Sequence, residues 1–266
     1  MELNLTNKHV LITGGSRGIG LACAKVFLEE GCKVSLVSRD PVNLEKAKKL
    51  LSTQVPGSQE RIALFSAELQ KADSAERALD EAEQAFGALD ILVNSAGAAK
   101  RTPADNLSPA FFREAMDAKF FTYINMIDPV IKRMGARGEG VIVNVVGAGG
   151  KVPSTVHIAG GSANAALMLT TAGLAVAYGP KGVRINAVNP SGTLTDRLIE
   201  GLKVNADHEN ISPEEVLKRM TSQVPMGRLA SPEEVADTVV YLASNRASYV
   251  TGTVITMDGA AHPVVV

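Results

Sequence analysis

A glycine-rich turn from Thr13 to Gly20, with the sequence TGGSRGIG, carries the clearest chemical pattern in the chain. It follows the apolar run HVLI and precedes a segment with helical periodicity. Glycine lets a backbone approach a phosphate closely, and a helix N-terminus offers unpaired N–H groups and the positive end of its dipole. A strand, this turn and a helix in that order predict a binding site for the pyrophosphate of a dinucleotide.

Two arginines near this turn bear on which dinucleotide binds. The second predicted strand ends at Val37-Ser38-Arg39, and in a doubly wound fold that end faces the adenine ribose. An acidic side chain there would favour NAD, whereas Arg17 and Arg39 offer two guanidinium groups for a 2′-phosphate. We therefore predict NADP(H) as the preferred cofactor. The alternative for Arg39 is an ordinary solvated surface charge.

Short apolar runs alternate with longer helix-period segments, which predicts an α/β fold with a parallel sheet flanked by helices. The predicted strands are His9–Thr13, Lys33–Ser38, Arg61–Ser66, Leu89–Asn94, Gly140–Val146, Arg184–Asn189 and Thr253–Met257. The predicted helices are Gly18–Glu30, Pro41–Thr53, Ser74–Phe86, Pro109–Met134, Ile158–Tyr178 and Pro232–Ala243. Capping-box spacing occurs at Asp73…Glu76 and Ser231…Glu234. With 266 residues and no shift in composition, we expect one domain over residues 1–266.

The composition excludes several classes of partner. A net charge of −1 and an isoelectric point near 6.4 predict neither nucleic-acid binding nor a polybasic membrane patch. Cys23 and Cys32 are expected to be buried and unbridged. The N-terminal residues do not resemble a leader, and no apolar run of about 18 residues is apparent. We expect a cytoplasmic protein with a small-molecule substrate and no metal site.

The loops at the carboxyl ends of the later strands are candidates for ligand contact. The fourth strand ends in NSAG, from Asn94 to Gly97, where small residues let the backbone come near a ligand. NPSGTLTD follows the sixth strand, and a second capping pattern occurs at Ser212-Pro213-Glu214-Glu215. Residues at about 194–225 are a candidate substrate lid. A loosely packed surface excursion fits their length equally well.

Together, TGGSRGIG, NSAG, NPSGTLTD and the ending from PMGRLASPEEV to VITMDG resemble the short-chain dehydrogenase/reductase family over nearly the whole chain. The resemblance implies a single Rossmann-type domain with strand order 3-2-1-4-5-6-7, an NAD(P)(H) cofactor and commonly a homodimer or homotetramer. It implies that Gly14, Gly18 and Gly20 hold the pyrophosphate, and that Thr195 contacts the nicotinamide side. Asn94 would steady the fourth strand, and Glu68 stands where the family usually has an aspartate near the adenine. The full set of cofactor-binding candidates is Gly14, Ser16, Arg17, Gly18, Ile19, Gly20, Ser38, Arg39, Glu68, Asn94, Ala96, Gly97, Asn164, Pro190, Thr193 and Thr195.

The chain departs from the family pattern at the residues that handle the proton. In the family, a tyrosine protonates a carbonyl, a lysine four residues later lowers the pKa of that tyrosine, and a serine polarises the carbonyl. Here Gly147 stands at the serine position, Gly160 at the tyrosine position and Asn164 at the lysine position. Lys119 replaces the asparagine of the preceding helix, and Ser191 replaces a glycine after Pro190. By this resemblance we expect a divergent member that lacks the usual Ser/Tyr/Lys residues.

His157, Asn164 and Lys119 are the remaining candidates for catalysis. His157 lies seven residues before Asn164, about 10.5 Å along an α-helix, so both can face one side. This spacing is similar to the Tyr-x6-Lys of divergent enoyl reductases. Histidine titrates near pH 6.5 and can exchange a proton at neutral pH, while an asparagine amide can bind a ribose hydroxyl. Lys119 would supply positive charge.

Each of these residues has an alternative without chemistry. His157 is then a residue that only lines a pocket, and Lys119 is a surface lysine. Gly147 and its glycine neighbours leave an open wall that either a bulky substrate group or a water fills.

The predicted function is an NADP(H)-dependent oxidoreductase that acts on a carbonyl/hydroxyl pair or an activated double bond. The alternatives are a lyase, isomerase or hydratase on the same scaffold, or a catalytically inactive NADP(H)-binding protein. Asn164–Tyr178 is apolar almost all round, which suits a helix between the sheet and a second subunit. We therefore expect a homodimer or homotetramer, the alternative being a helix buried within one domain.

Overall fold

The computed structural model describes residues 2–97, 99–196, 198–200, 202, 206 and 210–263. In this part of the chain, seven parallel strands form one sheet in the order β3-β2-β1-β4-β5-β6-β7. The predicted strand order is thus confirmed. The strands are β1 (His9–Thr13), β2 (Lys33–Ser38), β3 (Ile62–Ser66), β4 (Ile91–Asn94), β5 (Gly140–Val145), β6 (Val183–Pro190) and β7 (Val254–Met257).

Helices cover both faces of the sheet. One apolar cluster joins α1, α2 and α8 to the sheet, and a second joins α3, α5 and α6 to its other face. In β1, Val10 and Ile12 belong to the first cluster and Leu11 to the second, so the strand is buried on both faces. The helices are α1 (Gly18–Glu29), α2 (Pro41–Gln54), α3 (Ala72–Phe86), α4 (Pro109–Ala115), α5 (Thr122–Arg137), α6 (Ile158–Tyr178), α7 (Pro213–Ser222) and α8 (Pro232–Ala243).

The predicted helix Pro109–Met134 is interrupted by a π-helical turn at Met116–Phe121, and it extends to Arg137. The hydroxyl of Thr122 donates to the carbonyls of Asp117 and Ala118, at 3.1 and 3.2 Å. Gly97, after β4, packs so closely on this turn that a Cβ there would lie 2.5 Å from the Ala118 oxygen. A contact with a distant loop therefore accompanies the change in helical pitch.

The capping patterns are partly confirmed. Ser231 and Glu234 form the predicted capping box at the start of α8. The Ser212 side chain accepts a hydrogen bond from the Glu215 N–H at the start of α7. The box at Asp73…Glu76 is wrong, because α3 begins two residues earlier, at Ala72. Ser74 accepts a hydrogen bond from the Glu68 N–H and so ties the preceding loop to the helix.

Helix α6 packs one face on the sheet, and its composition resembles that of a membrane span. Ile158–Lys181, with a mean hydropathy of 1.2, is long and apolar enough to cross a membrane, which the sequence analysis did not anticipate. Leu167, Met168 and Ala175 of this helix pack into the apolar cluster on the sheet. Only 39% of this apolar window is buried, because one face of α6 packs on the sheet while Leu169 and Val176 on the other face are exposed.

His9 forms a buried polar contact at the amino edge of the sheet. Its Nδ1 lies 2.8 Å from the Gly87 carbonyl, and because a carbonyl only accepts, Nδ1 carries the hydrogen. Its Nε2 lies 2.8 Å from the Ser35 hydroxyl. Burial lowers the pKa of His9 below its ordinary value, and the bond to Gly87 and the charge of Asp90 offset this only in part.

His9 should make the stability of the protein depend on pH. Below about pH 6.5 the unfolded chain binds a proton at this residue more readily than the folded chain does. The free energy of unfolding should therefore decrease as the pH is lowered through this range. His9→Asn should cost about 1–3 kcal/mol at neutral pH, because buried partners lose their bonds, and should flatten this dependence. Urea unfolding at several pH values measures both effects. His262→Asn, at an exposed histidine, is the control, and an unchanged pH slope in His9→Asn would contradict the assignment.

Candidate active site

The glycine turn after β1 has the backbone geometry of a phosphate cradle. Gly14 and Gly18 have φ angles of +68° and +56°, which side-chain-bearing residues rarely adopt. A Cβ on Gly14 would lie 2.9 Å from the Ala96 Cα, and a Cβ on Gly20 would meet the Gly14 carbonyl. A Cβ on Gly18 would lie 3.3 Å from the Thr195 Cγ2. These three glycine positions therefore disfavour side chains, and the turn is bounded by the loops after β4 and β6.

Helix α1 begins at Gly18 with its N-terminus uncapped by any side chain of the described residues. Its N-cap residue, Arg17, is extended and makes no side-chain hydrogen bond to the first turn. Ile19, also in the first turn, packs against the apolar cluster beneath. The open N–H groups and the dipole of this helix can therefore receive an anion at the turn.

The Thr13 hydroxyl fixes the ends of β1 and β4 relative to each other. It accepts hydrogen bonds from the N–H groups of Ser95 and Ala96, at 3.1 and 3.2 Å. It donates to the Asn94 side-chain oxygen at 3.3 Å. The sequence analysis gave Thr13 no role beyond the glycine fingerprint.

A chain of buried amides continues from this point across the sheet. The Asn94 Nδ2 donates to the Asn144 Oδ1 at 3.1 Å, and the Asn144 Nδ2 donates to the Thr171 hydroxyl at 3.0 Å. Thr171 donates in turn to the Leu167 carbonyl within α6, at 2.8 Å. The Asn94 side chain thus links β1 to β5, and the chain ends on the helix that carries Asn164.

Ser16 and Arg17 of the glycine turn, and Ser38 and Arg39 at the end of β2, belong to two segments that touch each other. The Ser16 hydroxyl donates to the Ser38 hydroxyl at 3.1 Å, so the turn and the end of β2 touch. Arg39 is held through its carbonyl, which accepts from the Ser66 hydroxyl at 3.0 Å. Both arginine side chains are exposed, and neither forms an ion pair with a residue in the described ranges.

Glu68 is placed next to β3 but its carboxylate is already paired. Its Oε2 lies 2.7 Å from the Lys71 ammonium, and both side chains are about half exposed. The role of Glu68 beside the adenine stays a prediction.

His157 does not lie within α6, as the spacing suggested, but immediately before it as the N-cap residue. A Cβ on Gly160 would lie 2.5 Å from the His157 Nε2 and 2.8 Å from the Ala99 Cβ. The imidazole therefore occupies the space in which any side chain of residue 160 would begin. The glycine at position 160 thus leaves the room that the imidazole of His157 occupies. The sequence alone did not show that these two residues depend on each other.

Asn164 and His157 line the same glycine wall. A Cβ on Gly149 would lie 3.1 Å from the His157 Cδ2 and 3.7 Å from the Asn164 Nδ2. Asn164 is 6% exposed, and its Nδ2 makes a long contact of 3.5 Å with the Gly147 carbonyl. Its Oδ1 has no hydrogen-bond partner among the residues that the structure describes. A buried acceptor in this position fits the hydroxyl of a ribose.

Lys119 is buried, so the alternative of a surface lysine is wrong. It lies in the π-helical turn with 7% exposure. Its ammonium donates to the Tyr123 hydroxyl at 2.8 Å and to the Val145 carbonyl at 3.1 Å, and lies 4.4 Å from the Tyr123 ring centre. Burial raises the pKa of Tyr123 well above its ordinary value, so this hydroxyl stays neutral. Lys119 therefore places its amino group at the end of β5.

Tyr123 is a site residue that the sequence analysis missed. Its hydroxyl donates a hydrogen bond to the Val145 carbonyl at 2.5 Å and accepts one from the Lys119 Nζ. Its spacing of four residues from Lys119 on a predicted helix was the available signal.

The loop after β6 closes the site on the side of the glycine turn. Pro190 ends β6, and Thr193 pairs with Ala230 in an isolated bridge. The Thr195 hydroxyl accepts from the Leu198 N–H at 3.3 Å and so starts the next helical turn.

Residues 197, 201, 203–205 and 207–209 of the predicted lid lie outside the described residues. Val216 of α7 packs with Leu202 and Ala206 in a small apolar cluster, separate from the two that cover the sheet.

The family described as enoyl-(acyl carrier protein) reductase matches residues 14–262. The chain belongs to the short-chain dehydrogenase/reductase family. A 3α-hydroxysteroid dehydrogenase of Mediterraneibacter gnavus is 33% identical over 269 residues, which cover 98% of this chain and all of the relative. A peroxisomal 2,4-dienoyl-CoA reductase of Pongo abelii is 33% identical over 97% of this chain and 84% of the relative.

Similarity to a solved member of the family extends to the whole fold. L-sorbose reductase from Gluconobacter frateurii, solved with NADPH and L-sorbose, superposes with a TM-score of 0.93. It is 26% identical, and the match covers 100% of both chains. The chain therefore shares the fold of L-sorbose reductase over its full length.

The arrangement of Gly160 and His157 predicts strong coupling between the two positions. Gly160→Ala should destabilise the protein by about 1–3 kcal/mol, because the new methyl group displaces the imidazole. In a His157→Ala background the same change should cost clearly less, since only the contact with Ala99 remains. A double-mutant cycle on the free energy of unfolding measures this coupling. Additive costs would show that the ring does not occupy this space in solution.

Proposed function

We propose that this protein is an NADP(H)-dependent oxidoreductase that acts on a carbonyl/hydroxyl pair or an activated double bond of a small molecule. The observation that carries the proposal is the complete glycine turn at an uncapped helix N-terminus, with Arg17 and Arg39 exposed beside it. Its relatives include a dehydrogenase and reductases, and L-sorbose reductase was solved with NADPH. These similarities support the same class of chemistry here.

The residues that would hold the cofactor divide along its length. Gly14, Gly18 and Gly20 would receive the pyrophosphate, and the guanidinium groups of Arg17 and Arg39 would bind a 2′-phosphate. Ser16 and Ser38 would contact the adenine ribose, Asn164 Oδ1 the nicotinamide ribose, and the backbone from Asn94 to Gly97 the space between them. Pro190, Thr193 and Thr195 would border the nicotinamide. When bound, the reduced nicotinamide supplies a hydride.

His157 would handle the proton in place of the missing tyrosine. As an imidazolium it would donate a proton to the substrate oxygen during reduction, and as an imidazole it would accept the proton during oxidation. Because the ring stands where the side chain of residue 160 would begin, the substrate oxygen must enter the space along the glycine wall to reach it. Lys119 would stabilise negative charge on that oxygen from the end of β5.

Two other functions are separated from this one by their products. A lyase, isomerase or hydratase would change the substrate without net consumption of NADPH, and an inactive binder would bind NADPH without turnover. The relatives named above are a dehydrogenase and reductases, which disfavours both alternatives.

We also propose a homodimer or homotetramer in the cytoplasm. Leu169 and Val176 on the outer face of α6 are 77% and 80% exposed, which supports a subunit contact along this helix. Light scattering on the purified protein measures the number of subunits, and a monomeric mass would contradict the subunit contact.

The candidate lid at about 194–225 would close over the substrate within a single domain of residues 1–266.

The two arginines should determine the choice of cofactor. Arg17→Ala and Arg39→Ala should each weaken NADPH binding by about tenfold, because each removes a charge-assisted hydrogen bond to the phosphate, and should leave NADH binding nearly unchanged. Calorimetry or thermal shift with both cofactors measures this. Arg113→Ala, at an exposed arginine on α4, is the matched control. Wild-type protein that binds NADH more tightly than NADPH would overturn the assignment.

His157 should be required for turnover but not for cofactor binding. With a panel of ketones, aldehydes and enones, His157→Ala should lower kcat by about 100- to 10,000-fold, the usual contribution of general acid catalysis. The dissociation constant of NADPH should stay the same. The loss of NADPH absorbance gives the rate, and His262→Ala is the control at an exposed histidine. An unchanged kcat in His157→Ala would remove this residue from the mechanism.

A further inference from the structure

A buried asparagine near the end of β6 has no partner for its side chain. Asn189 is 1% exposed, and within the described part of the chain neither its Nδ2 nor its Oδ1 forms a hydrogen bond. Burying an amide without partners costs free energy, and most buried polar groups in proteins are hydrogen-bonded. A bound group that supplies these partners would remove the cost.

The register of the sheet sets the neighbours of Asn189. It pairs with Thr256 of the edge strand β7, so the two side chains point to the same face of two strands that lie about 4.8 Å apart. Ala187 and Val254, two residues earlier in each strand, pack in the apolar cluster on the α6 face. The exposed Thr256 hydroxyl and the buried Asn189 amide therefore lie side by side on that face.

Lys151 brings an ammonium group to the same place. Its Nζ lies 3.2 Å from the Thr256 hydroxyl oxygen. Because β6 lies between β5 and β7, the loop after β5 and the Lys151 side chain together cross the end of β6, where Asn189 lies. Among the described residues no carboxylate pairs with Lys151, and Asp258, beyond Thr256, accepts two backbone N–H groups of its own loop at 3.0 Å.

The loop that carries Lys151 is packed against the candidate active site. A Cβ on Gly150 would lie 2.9 Å from the Asn164 carbonyl carbon. A Cβ on Gly149 would lie 3.1 Å from the His157 Cδ2. Two residues of backbone, from Gly149 to Lys151, span at most about 7 Å. A substrate with a chain of a few carbon atoms therefore reaches from His157 to the Lys151 side chain.

We propose that Lys151, Thr256 and Asn189 form a carboxylate site, and that the substrate carries a carboxylate a few carbon atoms from the carbonyl or double bond that reacts. The carboxylate accepts from the Lys151 ammonium, the Thr256 hydroxyl and the Asn189 Nδ2. Lysine has three N–H donors, so Lys151 also serves the Asn189 Oδ1 when it is drawn toward the ligand. Hydrogen bonds to an ionised acceptor are about twice as strong as those to a neutral one, which favours a carboxylate over an amide. The inference rests on the proposed function, because it names the substrate class of that site.

Matched pairs of a keto acid and its amide test the proposal. The acids 4-oxopentanoate, 6-oxoheptanoate and 8-oxononanoate and their amides are titrated by calorimetry into protein saturated with NADP⁺, which fills the phosphate site and does not reduce the ketone. At least one acid should bind about tenfold more tightly than its amide at low salt. This preference should decline as KCl is added, because salt screens the charge of Lys151. Equal affinities within every pair overturn the proposal.

Lys151→Met should abolish the preference for the acid and leave the affinity for the amide nearly unchanged. Lys46→Met is the matched control, because Lys46 is also exposed and outside any ion pair in the described ranges. It lies on α2, which packs on β2 and β3 at the other end of the sheet. If Lys151→Met keeps the preference, or if Lys46→Met removes it as fully, the carboxylate site is wrong.

Two further variants test the hydrogen bonds of the carboxylate site. Thr256→Val keeps the shape of an exposed side chain and removes its hydroxyl, so it should weaken binding of the acid by about threefold to tenfold and that of the amide less. Asn189→Ala removes the Nδ2 donor and should act in the same direction. If Asn189→Ala does not fold, Thr256→Val decides the point alone. An unchanged affinity for the acid in Thr256→Val overturns the proposed site.

Consumption of NADPH is measured separately, so that the two proposals fail independently. A preference for the acid that depends on Lys151, without NADPH consumption, supports the carboxylate site and counts against the oxidoreductase. NADPH consumption with ketones but no preference for the acid supports the oxidoreductase and overturns the carboxylate site. If NADP⁺ does not bind, the same pairs are measured on the protein alone, and the effect of Lys151→Met decides the carboxylate site.

Discussion

The buried hydrogen bonds that run from Thr13 through Asn94 and Asn144 to Thr171 are the constraint on which the site depends. Buried amides and hydroxyls are costly unless each one has a partner, so these four side chains admit one register of β1, β4, β5 and α6. Thr13 also receives the backbone N–H groups of Ser95 and Ala96, which form the floor beneath the glycine turn. This series of hydrogen bonds thus fixes the positions of both the glycine turn after β1 and α6, the helix that carries Asn164.

The glycines of the turn after β1 and the glycine at position 160 have different neighbours. In the glycine turn after β1, Gly14, Gly18 and Gly20 each have a conformation or a contact that excludes a side chain. Near the start of α6, the imidazole of His157 fills the space that Gly160 leaves, and the buried Lys119 donates to the Val145 carbonyl. The amino group at the end of β5 therefore comes from the π-helical turn that follows α4, whereas α6 contributes the amide of Asn164.

The sheet and the cofactor turn could be predicted from the sequence because they depend on local patterns. Apolar runs of strand length, the glycine spacing and the Ser231…Glu234 box each specify structure over a few residues. The π-helical turn at Met116–Phe121 could not be predicted, because it packs against Gly97, and the burial of Lys119 depends on Val145, 26 residues away. Ser74 binds Glu68 for a similar reason, since its partner belongs to the preceding loop. His157 was predicted to share a side with Asn164, but its place before α6 and its fit against Gly160 needed the three-dimensional arrangement.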